Sequence, residues 1–559
     1  MQTTMNDWEP EKARQPHKAL IGVPGAGKTT FLMKLVVERL KTKPDLDWLY
    51  LSYTRASIAD AVDTMQEMAK EQGIKVTKAG LGKHFRTMDA ICMEHARIKR
   101  LVNYPGGKHD VTKEFFDEYK IDFDRYVGDE LVDATEAGAQ GLPEGNRYLS
   151  AWEYTTACMW DMDRIAASGE FLKNKFGIAD NDKSIALMVA YWEYKVLRHS
   201  RDFSDLRVEI VKNKIVLKHE LLICDEFQDY GQLQYAVFKT LSSGCREVYV
   251  AGDPLQSIYG FNSASPEFLI THTEERTILN KTYRFGSITA DFANSLVRQM
   301  NYGFAYEQPE ILPNMSVDDT VTIVHQNSYQ ETWDRVRTWM HQTEGCKEVY
   351  LLARTNAIAR RYAGFIVNHG ISVRDLRTDK LYGSFFRMFY NFFGKVATMS
   401  DTPLTVSDQV RLTGVLDIAI PATMTATTHE IMACKTYCDM KLLMSRYGIE
   451  RMLRMTKLSG IQQQTLKSVF YGILPPEFPE DGWIYAGACH SAKGLTSDMT
   501  LFVDTIPVRV LKELENDTDS NDVLEEEKRL VYTACTRHRR HLLVLKDGGH
   551  NYFGEVFVG

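Results

Sequence analysis

The chain lacks any long hydrophobic run. No apolar stretch in its 559 residues approaches the ~20 residues that a membrane-spanning helix needs. Residues 1–18 are polar and of mixed charge, which is not the pattern of a secretory signal. Internal repeats and low-complexity tracts are absent as well. We therefore expect a cytoplasmic globular protein with several domains, without a membrane partner.

Cysteine is scarce and unpatterned. The nine cysteines include no C-x-x-C pair. Cys434 and Cys438 are four residues apart, but no second ligand pair accompanies them. We expect reduced thiols and neither a zinc nor an iron–sulfur site.

An excess of positive charge is also missing. The 67 Lys and Arg residues face 74 Asp and Glu residues, for a net charge of −7. This balance argues against indiscriminate adhesion to nucleic acid, although a local basic cleft remains compatible with it. Eight carboxylates lie in residues 513–527, which we interpret as a solvated loop.

Short apolar runs rich in β-branched residues predict buried parallel strands, separated by helical stretches. The predicted strands are Ala19–Ile21, Trp48–Leu51, Leu221–Cys224, Val248–Ala251, Val349–Ala353, Leu501–Val503 and His541–Leu545. Two long helical blocks interrupt this pattern, at about 94–200 and about 384–480. The pattern is typical of α/β sheets covered on both faces.

The segment after the first predicted strand fits G-x-x-x-x-G-K-[ST] and precedes a helical pattern. Glycines allow a tight turn whose N–H groups face phosphate oxygens, while Lys28 reaches the β- and γ-phosphates and Thr29 binds Mg²⁺. The predicted phosphate-binding residues are Gly22, Gly25, Ala26, Gly27, Lys28, Thr29 and Thr30. The chain is therefore predicted to bind a nucleoside triphosphate.

The strand Leu221–Cys224 delivers two carboxylates at its carboxyl end, where ligand sites of α/β sheets lie. Asp225 suits Mg²⁺, and Glu226 suits activation of the attacking water.

Asp-Glu-Phe-Gln-Asp at 225–229 belongs to an ordered set of motifs that resembles the superfamily 1A DNA helicases of the UvrD/Rep (PcrA-like) group. The other segments of the set are residues 51–56, 85–89, 202–206, 252–261, 283–284, 352–356, 490–495 and 525–537. The resemblance implies an α/β fold with two RecA-like P-loop domains in tandem, each interrupted by a mainly helical insertion. The implied first domain is 1–93 with 201–278, and the second is 279–383 with 481–559. Their implied insertions are 94–200 (1B-like) and 384–480 (a short, reduced 2B-like block).

The resemblance also implies site residues and the cofactors ATP and Mg²⁺. Arg284 and Arg537 would clamp the γ-phosphate and Gln256 would sense it. Tyr283 would stack on the adenine, and Gly494 would line the nucleotide. With Lys28, Asp225 and Glu226, these two arginines and Gln256 complete the implied catalytic set.

Single-stranded DNA and its junctions with duplex are the implied partners, bound by a monomer or a weakly self-associating chain. The implied DNA contacts are Tyr53, Thr54, Arg55, Tyr259, Phe261, His490 and Ser491. Protein partners are not implied.

The expected activity is ATP-dependent 3′→5′ translocation on single-stranded DNA with duplex unwinding, in replication, repair or recombination. Three alternatives stay open: the opposite polarity, an RNA substrate, or a nucleotide-gated DNA-binding protein with little unwinding. No glutamine motif is recognisable before the P-loop, and Thr496 stands where the family has a glutamate. The chain ends soon after the last motif, so we expect no appended nuclease.

Overall fold

A computed structural model describes most of the chain. The described residues are 17–52, 54–74, 76–95, 110–124, 142–260, 263–272, 275–301, 306, 308–325, 347–398, 401–404, 430–431, 433–454, 458–478, 484–516, 522–546 and 548–557.

The described strands form two six-stranded sheets in which every paired neighbour is parallel. The first sheet has the order β3-β2-β4-β5-β1-β6, and the second has the order β7-β12-β11-β8-β10-β9. The strands of the first sheet are β1 Lys18–Gly22, β2 Trp48–Ser52, β3 Phe85–Thr87, β4 Leu221–Cys224, β5 Glu247–Gly252 and β6 Glu275–Leu279. Those of the second are β7 Thr320–His325, β8 Val349–Ala353, β9 Val373–Asp375, β10 Ile484–Ala488, β11 Ser497–Asp504 and β12 His538–Lys546.

Helices connect the strands and form two larger helical blocks. Those around the first sheet are Lys28–Thr42, Arg55–Glu71, Lys78–Leu81, Met88–His95, Phe203–Lys212, Gln232–Ser242 and Glu267–Thr271. The first block holds Val111–Glu118, Glu144–Ala157, Met162–Ala167, Gly169–Phe176 and Asn181–Leu197. The second sheet carries Ser287–Val297, Asn356–Asn368, Val508–Asn516, Asp522–Cys535 and Tyr552–Glu555, and the second block Ser384–Ala397, Tyr437–Tyr447, Ile449–Arg454 and Gly460–Phe470.

Each sheet is covered on both faces, because the side chains of its central strands alternate between two hydrophobic clusters. In β4, Leu222 packs in one cluster of the first sheet, and Ile223 packs in the other. In β8, Leu351 and Leu352 divide in the same way between the two clusters of the second sheet. The predicted class, two tandem parallel α/β units, is confirmed.

All seven predicted strands are present, but five strands were not predicted. Four of those, β3, β6, β7 and β9, lie at sheet edges. The edge strand β6, Glu-Arg-Thr-Ile-Leu, is mostly exposed, so its composition carries no apolar run. The fifth, β10, is central but contains the small residues Ala486, Gly487 and Ala488.

The helical blocks pack in two different ways. The first has its own aromatic cluster, which includes Phe116, Trp152 and Tyr191. In the second block, Phe389 and Leu466 share one cluster with residues of the second sheet and of the helix Asn356–Asn368. The second block is thus part of the core of the second unit, and the exact domain bounds stay a prediction.

The interpretation of residues 513–527 as a solvated loop is wrong for much of that segment. Residues 513–516 end one helix, and Asp522 begins the helix Asp522–Cys535. Glu525 and Glu527 are buried there, because Lys528 and Arg354 pair with them at 2.8 Å. Sequence charge alone does not reveal such partners.

Two further expectations concern cysteine and membranes. The eight cysteines in the described ranges are all unpaired, and Cys346 lies outside those ranges. Among the described helices, none is long and apolar enough to cross a membrane.

Gly394 tests the packing of the second helical block. A Cβ at this position would lie 1.5 Å from the carbonyl oxygen of Pro476. We expect Gly394→Ala to lower the free energy of unfolding by about 1–3 kcal/mol through overpacking. Gly364→Ala is the matched control, since it lies within a helix with nothing within 4 Å of its Cβ position. Chemical denaturation should show that control stabilised by about 0.5–1 kcal/mol, and equal effects would contradict the packing.

Candidate active site

The segment 22–29 joins β1 to the helix Lys28–Thr42 and opens a row of backbone N–H groups. Gly25 and Gly27 have φ values of +71° and +74°, which favour glycine. Gly27 caps the helix without a side-chain hydrogen bond, so the first N–H groups are available to an anion. Lys28 Nζ donates to the Gly22 carbonyl at 3.0 Å, which holds the ammonium over the loop.

Asp225 directly follows β4 and accepts three hydrogen bonds. Its Oδ2 accepts from Thr29 Oγ1 at 2.9 Å and from Tyr50 Oη at 2.7 Å, and its Oδ1 accepts from the Glu226 N–H at 2.9 Å. Burial and then the charge of Glu226 raise the pKa of Asp225. A carboxylate and a hydroxyl in contact form a pair of hard oxygen donors.

Glu226 is a non-glycine residue in the left-handed region, with φ 55° and ψ 38°. Such strain persists where the surroundings fix it, and it gathers at functional sites. Gln228 Nε2 donates to Glu226 Oε2 at 2.5 Å. Burial alone would raise the pKa of Glu226, but the charges of Lys493 and Lys28 outweigh it and lower the pKa. Glu226 is thus held ionised, as a base requires.

Two arginines of the second unit reach the first unit. Arg537 is 1% exposed, and its Nη2 donates to Gln256 Oε1 at 2.6 Å, while Gln256 Nε2 donates to Asp253 Oδ2 at 2.7 Å. Arg284 Nη1 donates to the Thr536 carbonyl at 2.7 Å. Burial lowers the pKa of Arg537, and burial followed by the charge of Arg537 lowers the pKa of Arg284. An anion between the two guanidinium groups would relieve this repulsion.

These groups line one cavity of about 620 Å³ between the two units. Among the predicted residues, those lining it are Gly25, Ala26, Gly27, Lys28, Thr29, Thr30, Asp225, Glu226, Gln256, Tyr283, Arg284, Gly494 and Arg537. Gly22 lies outside it, beneath the Lys28 side chain. Tyr283 is 65% exposed, and its ring approaches the Cβ position of Gly27 to 3.8 Å, so one face of the pocket is aromatic.

Other polar residues of this site carried no role in the sequence prediction. Tyr50 binds Asp225 as described, and Asp60 and Arg539 line the cavity. Lys493 Nζ lies 2.5 Å from Asp229 Oδ1. Burial raises the pKa of Asp229 to about 7, although the charge of Lys493 opposes this shift. Only the motif membership of 225–229 and 490–495 hinted at this last pair.

The predicted nucleic-acid contacts are only partly described. Tyr53 and Phe261 lie outside the described residues, as does the side chain of Arg55. Thr54 Oγ1 caps the helix Arg55–Glu71 by accepting from the Ser57 N–H at 3.1 Å. This cap gives Thr54 a structural role beside the predicted one.

Tyr259, His490 and Ser491 lie together where the two units meet. The rings of Tyr259 and His490 are 6.1 Å apart, and His490 Nε2 lies 3.1 Å from the Ile258 carbonyl oxygen. His490 is buried, and burial followed by the charge of Arg354 lowers its pKa far below the usual value. A neutral, buried imidazole is suited to positioning residues 258–259. Ser491 is half-buried beside it.

Comparisons with known proteins agree with this geometry. Residues 6–276 match the UvrD/REP helicase N-terminal domain. A probable DNA helicase II homolog of Mycoplasma capricolum is 20% identical over 65% of this chain and 61% of its own length. DNA helicase II of Escherichia coli is 28% identical over 25% of this chain and 20% of its own length. An ATP-dependent helicase/nuclease of Ligilactobacillus salivarius is 22% identical, in one of its polypeptides, over 53% of this chain and 25% of that polypeptide.

The chain therefore spans less than two thirds of the length of these relatives. The matched domain contains the P-loop and the Asp225–Glu226 carboxylates, and the two parallel sheets supply the tandem architecture. The chain belongs to the UvrD/REP helicases of superfamily 1A.

Proposed function

We propose that this protein is an ATP-dependent DNA helicase that translocates 3′→5′ on single-stranded DNA and unwinds duplex. The observation that carries the proposal is the cavity between the units, which joins the loop and acids of the first unit to Arg284 and Arg537 of the second. A pocket shared by two bodies makes their closure depend on what it holds.

The triphosphate would lie along the N–H groups after Gly25, with Lys28 against its terminal phosphates. Thr29 and Asp225 offer hydroxyl and carboxylate oxygens in mutual contact, which fits Mg²⁺. The ion would supply charge neutralisation between the phosphates. Tyr283 would stack on the base, since its exposed ring borders the loop.

Hydrolysis would use the ionised Glu226 as the base that accepts the proton of the attacking water. Arg284 and Arg537 would stabilise the charge that develops on the transferred phosphoryl group. Gln256 contacts Arg537 directly, and it would register whether the γ-phosphate is present. Loss of that phosphate returns two buried positive charges to mutual repulsion, which favours opening of the seam.

The strand would run across the junction of the units, near Tyr259 and Ser491. Tyr53, Thr54, Arg55, Phe261 and His490 belong to the same proposed track. Each base stacked on an aromatic ring contributes about 1–3 kcal/mol, without selecting sequence. The 3′→5′ direction rests on the Asp-Glu-Phe-Gln-Asp and Gln-Ser-Ile-Tyr-Gly motifs of the 1A branch.

Gly25 tests the contact between the loop and the second unit. A Cβ there would lie 2.5 Å from Arg284 Cβ, so Gly25→Ala should push the arginine away from the phosphates. We expect the Kd of a fluorescent ATP analogue to rise at least about tenfold, or ~1.4 kcal/mol. Gly73→Ala is the control, because Gly73 has a matching φ of +70° and nothing within 4 Å. Equal affinity in both variants would argue against the contact.

The test of the proposed function is ATP hydrolysis with and without single-stranded DNA, followed by unwinding of duplexes with a 3′ or a 5′ tail. We expect stimulation by DNA and unwinding of the 3′-tailed duplex alone. A preference for the 5′ tail would reverse the polarity, and stimulation by RNA alone would change the substrate. Stimulation without unwinding would indicate a nucleotide-gated DNA-binding protein.

Lys28→Ala should lower the stimulated rate about a hundredfold or more, because it removes a preorganised charge at the phosphates. Lys34→Ala is its matched control: this lysine lines the same cavity, but its side chain is 68% exposed. Steady-state hydrolysis and thermal unfolding should show both variants folded and only the first inactive. Normal turnover by Lys28→Ala would refute the assignment of the loop.

A further inference from the structure

Lys493 crosses from the second unit into the first and is enclosed there. It follows the short 3₁₀ helix Cys489–Ala492. Its Nζ lies 2.5 Å from Asp229 Oδ1 and also donates to the carbonyl oxygen of Gln256. The side chain of Lys493 is 6% exposed and that of Asp229 is 1% exposed, so the ion pair is almost fully removed from water.

The same ammonium lies between the two halves of the proposed machine. On one side it contacts Gln256, whose Oε1 accepts from Arg537 at 2.6 Å. On the other side it lies 5.2 Å from the centre of the Tyr259 ring, a cation–π distance. Residues 256–259 thus contact the nucleotide cavity at one end and the strand track at the other.

We infer that Lys493 is a positioning residue that couples occupancy of the strand track at Tyr259 to ATP hydrolysis at Gln256. The inference rests on the proposed function and deepens it. Lys493 would reach neither the nucleotide nor the strand, and it would act through the backbone of residues 256–259.

The physical reason is the cost of separating a buried pair. An ammonium and a carboxylate out of water need each other, because either one alone is a buried, uncompensated charge. Movement of the Tyr259 ring under a stacked base removes one side of the enclosure of Lys493. The ammonium then shifts relative to the Gln256 carbonyl, and this shift reaches Arg537 through the Gln256 side chain. His490 holds the same segment through the Ile258 carbonyl.

Lys528 provides a matched control within the second unit. It is 8% exposed, pairs with Glu525 at 2.8 Å, and donates to the backbone carbonyl of Gln299 at 2.6 Å. Its partners are therefore the same two groups, one carboxylate and one carbonyl. However, both of those partners belong to the unit of Lys528 itself.

The experiment compares Lys493→Met with Lys528→Met in the full chain. ATP hydrolysis is measured with and without oligo(dT), alongside thermal unfolding and the Kd of a fluorescent ATP analogue. Lys493→Met should lower the ratio of stimulated to unstimulated rate by at least about fivefold, the low end of typical coupling between sites. Its Kd for the analogue should stay near wild type. Lys528→Met should lose stability and keep the ratio.

A double variant covers the case in which Lys493→Met does not fold. Asp229→Leu together with Lys493→Met removes both charges, and apolar replacement of a buried pair is often neutral or stabilising. This variant should fold and still lack stimulation. A wild-type ratio in either Lys493 variant, or an equal loss in Lys528→Met, would overturn the inference alone. Absence of stimulation in the wild-type chain would contradict the proposed function as well.

Discussion

Arg284 and Arg537 bring two positive charges into the seam between the units, and their hydrogen bonds go to neutral oxygens. Arg537 binds Gln256 and the Thr533 carbonyl, and Arg284 binds the Thr536 carbonyl. Burial and mutual repulsion lower the pKa of Arg284, so the seam has electrostatic energy that an anion can release. A closed seam is therefore most stable around a phosphate. The P-loop, the two acids and the strand contacts all gain their relation to one another from this closure.

The sequence predicted local features well, because each is written in neighbouring residues. The P-loop and the buried strand before Asp225 depend on spacing within about ten positions. Tyr50 and Lys493 escaped because their partners Asp225 and Asp229 are 175 and 264 positions away. Edge strand β6 escaped for another reason, since exposure on one side removes the apolar pattern. Tertiary pairing, rather than propensity, decided these cases.

The two helical blocks differ in the freedom that packing allows them. The first closes its own aromatic cluster and can keep it intact if it moves relative to the sheet. The second shares its cluster with the second sheet, and Phe478 N–H and Thr465 Oγ1 hydrogen-bond to Asn391 and to the Asn368 carbonyl. Rotation of the second block against its sheet would expose shared apolar surface at about 25 cal/mol per Å². The described part of this block is therefore a fixed wall of its unit.

The measurement that tests this account most directly is a crystal structure of the protein with Mg²⁺ and a non-hydrolysable ATP analogue. The account predicts that the γ-phosphate lies within hydrogen-bond distance, about 3 Å, of both Arg284 and Arg537 while the triphosphate follows the P-loop. A nucleotide held by the first unit alone, with both arginines keeping their present carbonyl partners, would contradict it.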